Sequence, residues 1–269
     1  MTVADNPPGR TEPVTSSGPQ QGSAFAGRFL IFYALLGGVL AAALTGLILV
    51  ALQKSPPKPP AWSSWRPTTG SPEKVTDEIA SHVGAIYVLD HRGDQLVAIV
   101  PGQPELTQDT TVSKVSTIAI RSSPTSNSFS RIIGTGGNVQ EQFCGLGQAC
   151  AIGTGTPTAQ RERLLRREAL EVALYTFKFV PSVNAVIAYM PPPPGQAPST
   201  LLYLERGNLS QELSRPLSAT LPLTNPPLPS QADGKESHTI DALTLPVEYG
   251  FQYQALTGGT EAMILTPAT

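Results

Sequence analysis

The sequence predicts an α+β protein, with one transmembrane helix followed by a mostly antiparallel mixed domain built around one long buried helix. Three observations carry this. The 24 residues from Phe29 to Leu52 hold no charge. At about 1.5 Å per residue they reach roughly 36 Å, enough to cross a hydrocarbon core of about 30 Å. Short β-favouring runs recur between Ala85 and Leu265 without regular βαβ alternation, which favours antiparallel pairing. The stretch from Thr156 to Pro181 has the start signal, apolar periodicity and stop signal of a long helix.

Composition divides the chain into four stretches. Residues 1–27 are rich in Pro, Gly, Ser and Gln and read as a disordered tail. Residues 28–53 are the transmembrane helix. The run is too long for a signal peptide, and Gln53-Lys54-Ser55-Pro56-Pro57 offers no cleavage site. Gly38, Ala42 and Gly46 recur every four residues on it, a small-residue ridge along which two helices can self-associate. Residues 54–74 form a Pro-rich spacer with extended, polyproline-like character. Trp62 and Trp65 within it sit at the membrane interface or pack onto the domain that follows. Residues 75–269 are the α+β domain, with 216–239 an irregular Pro-rich excursion.

In chain order, the domain opens with a short helix over Val75–Val83. A hairpin follows, with strands Ala85–Asp90 and Gln95–Val100 around His91-Arg92-Gly93-Asp94. Thr110–Arg121 holds a third strand, and Ser122–Ser130 reads as a loop. For the long helix, Thr156 is the expected N-cap, Pro157 the first helical residue and Val180 the end. Its Leu164, Leu165, Val172, Tyr175 and Phe179 share an apolar face. Val183–Met190 and Leu201–Arg206 read as paired strands across a proline turn, and Ser210–Ser214 as a short helix. Strands are expected at Ile240–Leu245, Tyr249–Leu256 and Glu261–Leu265.

Little in the sequence points to catalysis. The net charge is −2 and only 14% of residues are charged, which excludes the basic footprint of a nucleic-acid binder. No Gly-x-Ser-x-Gly or His-Glu-x-x-His occurs, and His82, His91 and His238 have no acid or nucleophile at an informative spacing. The expected protein is therefore not an enzyme, and no cofactor or metal is expected. Cys144 and Cys150, the two cysteines of the chain, supply too few ligands for zinc. A local disulfide suits them if the domain lies outside the cytosol; a pair of reduced thiols is the alternative. The Gly-rich loop 134–155 lacks both nucleotide-loop patterns; it is the candidate region for a small ligand. Arg163, Arg167 and Glu171 repeat at four-residue spacing and form either a surface for an acidic partner or a solvated helix face.

The layout resembles uncharacterised single-pass membrane proteins of actinobacterial type, chiefly through FCGLGQACAIGTGTP followed by RERLLRREALEVALYTFKFV. The resemblance implies an envelope-side α+β domain and no known activity. Flanking charges (Arg10 and Arg28 before the helix; Lys54, Lys58, Arg66 and Lys74 after it) favour a cytosolic C-terminal domain. Low charge, the Pro/Thr/Ser spacer and the cysteine pair favour the opposite, and the expectation is an inner (plasma) membrane protein with its C-terminal domain outside the cytosol. The expected partners are the lipid bilayer, an unidentified envelope protein and a second copy through the membrane helix. The expected function is a membrane-anchored, non-enzymatic envelope protein whose outer domain mediates protein–protein interaction or assembly. An anchored small-ligand-binding or sensor domain is the alternative.

Overall fold

The computed structural model describes residues 26–52, 61–103, 115–223, 225–231, 234, 236–256 and 260–268, with side chains on residues 31–47 of the first helix. The sequence reading of 1–25, of 53–60 and of the turn at 257–259 lies outside these residues. The chain forms two compact units, Met1–Pro59 and Pro60–Thr269.

In the first unit the helix α1 spans Ala26–Leu52. Every described side chain on it is exposed, among them Phe32 (73%) and Val39 (70%). Among the described residues no helix is long and apolar enough to cross a membrane.

The second unit is α+β. Its described helices are α2 (Pro72–Ile86), α3 (Ala159–Phe179), α4 (Ser210–Ser214) and α5 (Ser237–Thr244). Its strands are β1 (Ala98–Pro101), β2 (Val115–Arg121), β3 (Phe129–Gly134), β4 (Asn138–Cys144), β5 (Ala185–Tyr189), β6 (Thr200–Glu205), β7 (Glu248–Ala255) and β8 (Glu261–Pro267). They form one sheet ordered β1-β4-β5-β6-β7-β8-β2-β3. Only the β2–β8 and β4–β5 pairings are parallel; the other five are antiparallel. The β4–β5 pair needs a crossover, and α3 supplies it.

The connection between β3 and β4 fixes the shape of the sheet. Six strand spacings separate them in the order, about 29 Å if the sheet were flat. The three residues 135–137 that join them reach at most about 14 Å. The sheet must therefore curl back on itself. Consistent with this, Arg131 on β3 pairs with Glu205 on β6 at 2.7 Å. Tyr189 on β5 also lies 3.5 Å from Met263 Sδ on β8, three strands away.

Strand alternation then sorts the two faces. Val186, Ala188, Leu202 and Leu204 pack under α2, α3 and α5. Ala185, Ile187, Tyr189, Leu201 and Tyr203 turn inward to meet Ile118, Phe251, Met263 and Leu265 inside the curl. In that interior the Tyr189 hydroxyl donates to Gln140 Oε1 at 2.8 Å and accepts from the Tyr253 hydroxyl at 3.2 Å.

α3 is the long buried helix the sequence predicts, with two differences. Its N-cap is Thr158, whose hydroxyl accepts from the Arg161 amide at 3.1 Å, two residues beyond the expected cap. It also buries Arg161, Arg166, Arg167, Glu168 and Glu171 along with its leucines. Its end is capped from outside the helix: the Arg206 guanidinium donates to the carbonyls of Phe177 and Val180, and to that of Val183 just beyond the helix.

Four expectations are corrected. The hairpin over 85–100 shrinks to one bridge, Val88 to Gln95. Ala85 and Ile86 continue α2, and the fully buried Tyr87 is drawn to Glu171 and Arg167. Ile240–Leu245 is not a strand: Ile240 and Thr244, four residues apart, form the buried face of α5. The Ser122–Ser130 loop ends in β3, whose first two residues are Phe129 and Ser130. Finally, the spacer does not extend to residue 74, because Ser71 caps α2 and Pro72–Lys74 are its first turn. Of the two settings for the tryptophans, packing onto the domain is what the structure has. Trp62 meets Tyr175 edge-on at 5.3 Å, Trp65 stacks on His82 at 3.8 Å, and the Trp62 carbonyl accepts from Leu217 N.

Candidate functional site

β3 reads Phe-Ser-Arg-Ile-Ile-Gly, a short β-branched run at the end of the sheet order. One side pairs with β2; among the described residues no strand pairs its other side. Ile132 is 67% exposed and Phe129 42% exposed. Its one charge, Arg131, is exposed and held in a fork by both oxygens of Glu205, each at 2.7 Å. That charge-assisted bonding raises the Arg131 pKa above its ordinary value. The opposite edge, β1, packs against α2 and ends in Pro101.

Beside β3 opens a shallow cleft of about 810 Å³, with Arg131, Asn184, Glu205, Arg206, Asn208 and Ser210 in its wall. The Arg131–Glu205 pair links edge and cleft into one surface. It carries hydrogen-bonding groups and no nucleophile with a base.

The structure places the sequence candidates elsewhere. Arg167 and Glu171 are not surface residues, since they are 1% and 6% exposed. All five guanidinium donors of Arg167 are used. Nε reaches Glu236 at 2.5 Å, Nη1 reaches Tyr87 and Glu171, and Nη2 reaches Glu236 and the Leu223 carbonyl. Burial pushes the Glu171 pKa up against the pull of Arg167. Arg163 lies at the rim of the cluster and bonds Asp241 on α5 at 3.1 Å. These three residues are thus an internal latch that fastens the 216–239 excursion and α5 to α3, and both surface readings of them are withdrawn.

Cys144 and Cys150 are joined in a disulfide, in a loop where Leu146, Ala149 and Cys150 take positive φ. The surrounding glycines serve close packing. A Cβ on Gly145 or Gly147 would lie 2.7 Å from the Ala151 carbonyl, and the amides of Gly145, Gly147 and Gly153 are all spent on carbonyls of the same loop. The loop over 145–153 is therefore not an anion cradle. Gly134 and Gly136 stand in open space at the β3–β4 link. On α1, Gly38, Ala42 and Gly46 are exposed, and nothing lies within 4 Å of a Cβ built on either glycine.

Of the histidines, His82 is stacked on Trp65, where burial lowers its pKa, and His91 and His238 are exposed. Among the described residues no group of three or more His, Cys, Asp or Glu could hold a metal ion. The β3 edge escaped sequence reading because it lies between a Ser-rich and a Gly-rich stretch. Its one signal was the Ile132-Ile133 pair.

No family model, curated protein or solved structure matches the chain.

Proposed function

We propose that the chain is a single-pass, membrane-anchored, non-enzymatic envelope protein whose globular unit binds an extended segment of another envelope protein along β3. The observation that carries the docking reading is the open edge of β3. Its exposed Ile132 and Phe129 lack the Lys or Pro that normally blunts an edge, and Arg131, already neutralised by Glu205, does not repel an incoming strand. Strand addition supplies main-chain hydrogen bonds for affinity, and the adjoining cleft supplies side-chain pockets for selection.

The anchor rests on the uncharged run Phe29–Leu52 in the sequence and on the large apolar side chains that α1 exposes over residues 31–47. The cysteine pair favours placing the globular unit outside the cytosol, where a disulfide persists.

The test is a photo-crosslinking amino acid placed at Ile132 in native membranes, with Val100 on the opposite edge as control. One adduct of discrete mass from position 132, absent from position 100 and lost in Ile132→Lys, supports the docking edge. An adduct of twice the chain mass, or none, overturns it.

A further inference from the structure

Arg161 is the one buried cation of α3 whose charge meets no carboxylate. It is 2% exposed. Arg166 and Arg167, on the same helix, are compensated by Asp241 and Glu236 at 2.9 and 2.5 Å. Among the described residues the Arg161 guanidinium has one acceptor, the main-chain carbonyl of Thr154, and its buried Nε has none. Burying a cation this way is costly unless a counter-charge arrives.

The surroundings say where that charge would come from. Arg161 is the third residue of α3, a 21-residue helix, and its side chain folds back under the loop that precedes the helix. A Cβ on Gly155 would touch Nη1 at 2.9 Å. That loop, Gly153-Thr154-Gly155-Thr156-Pro157-Thr158, is exposed throughout. Gly155 has φ +74°, which a glycine adopts without strain. Among the described residues the amides of Thr154, Gly155 and Thr156 have no acceptor. A helix N-terminus adds partial positive charge at the same point. Thr154 and Thr156 add exposed hydroxyls in the same loop, while the Thr158 hydroxyl caps the helix.

We infer that the loop 153–158, the N-terminus of α3 and Arg161 form a binding site for a phosphate-type oxyanion, either free phosphate or the phosphate of a soluble monoester. The guanidinium supplies the charge and the loop amides the orienting donors. Entry requires only that the exposed loop lift from the Thr154–Arg161 contact, and the oxyanion then takes the open Nε. The site adjoins the glycine loop closed by the disulfide at Gly153, whose amide is already spent on the Gly145 carbonyl, and it does not depend on the docking reading of β3.

The experiment titrates inorganic phosphate, and separately glycerol 3-phosphate, into the full chain in detergent at constant ionic strength, following the melting of the globular unit. Saturation should raise Tm by about 5 °C, the shift expected near a hundredfold excess over Kd for a unit of this size. Chloride should not do so. A response to the monoester alone assigns the source; a response to neither overturns the inference. Arg161→Met should melt no lower than the parent without phosphate and lose the response. Should it fail to fold, Thr156→Glu provides the second arm. A carboxylate placed in the loop should raise the phosphate-free Tm and abolish the phosphate shift. A phosphate response unchanged in either variant refutes the site.

Discussion

Glu141 gives the sharpest test of the packing. It sits on β4, 1% exposed, with Oε2 buried and lacking a hydrogen-bond partner. Burial, aided by the nearby charge of Asp77, pushes its pKa up to about 8 from an ordinary 4.5. A carboxyl raised on folding binds its proton more tightly in the native state, so stability falls as pH rises between about 4.5 and 8. At 1.36 kcal/mol per pH unit, the full interval corresponds to at most about 5 kcal/mol. Glu141→Gln keeps the shape and removes the titration. The variant should match the parent near pH 4.5 and exceed it by up to about 5 kcal/mol at pH 9, a Tm gap of roughly 10 °C for a unit of this size. Calorimetry of both proteins from pH 4.5 to 9 measures this. Glu168 is raised by burial in both proteins and cancels in the difference. Parallel curves for parent and variant would show that the Glu141 carboxyl is not desolvated as described.

Other expectations follow from the latch and the loop. Glu236→Ala strands a buried guanidinium and should cost about 3–5 kcal/mol, with faster proteolysis within 216–239 than in the rest of the unit; an unchanged melting curve would refute the latch. Reducing the disulfide frees a short loop and should cost about 2 kcal/mol, read as a Tm drop of about 5 °C that Cys144→Ser/Cys150→Ser reproduces. Gly145→Ala drives a Cβ against the Ala151 carbonyl and should destabilise by more than 1 kcal/mol, whereas Gly136→Ala, in open space, should cost under about 0.5 kcal/mol.

The parts legible in the sequence are those set by local pattern. Val75–Val83 falls within α2, and Pro181 follows the end of α3. The apolar run of β5 and its partner β6 were read to within two residues at either end, and so was β7. What failed was set by distant partners. Arg167 and Glu171 have the four-residue spacing of a solvated pair. Tyr87 and Glu236, which bury them, stand 80 and 69 residues from Arg167, and no window along the chain brings them together. β4 reads as Asn-Val-Gln-Glu-Gln-Phe-Cys, too polar to suggest an interior strand, because its glutamines and Glu141 are accommodated by the curl and by the helix layer. Arg161 opens the charged run Arg161-Glu162-Arg163, and its burial under a glycine-threonine loop has no local signature.

We propose an anchored unit outside the cytosol. It is tested most directly by maleimide labelling of Cys144 and Cys150 in intact cells, with and without prior reduction. Labelling by a membrane-impermeant reagent only after reduction is the predicted result, since it places the disulfide and its domain outside together. Labelling without reduction, and only by a membrane-permeant reagent, would place free thiols in the cytosol and contradict the account.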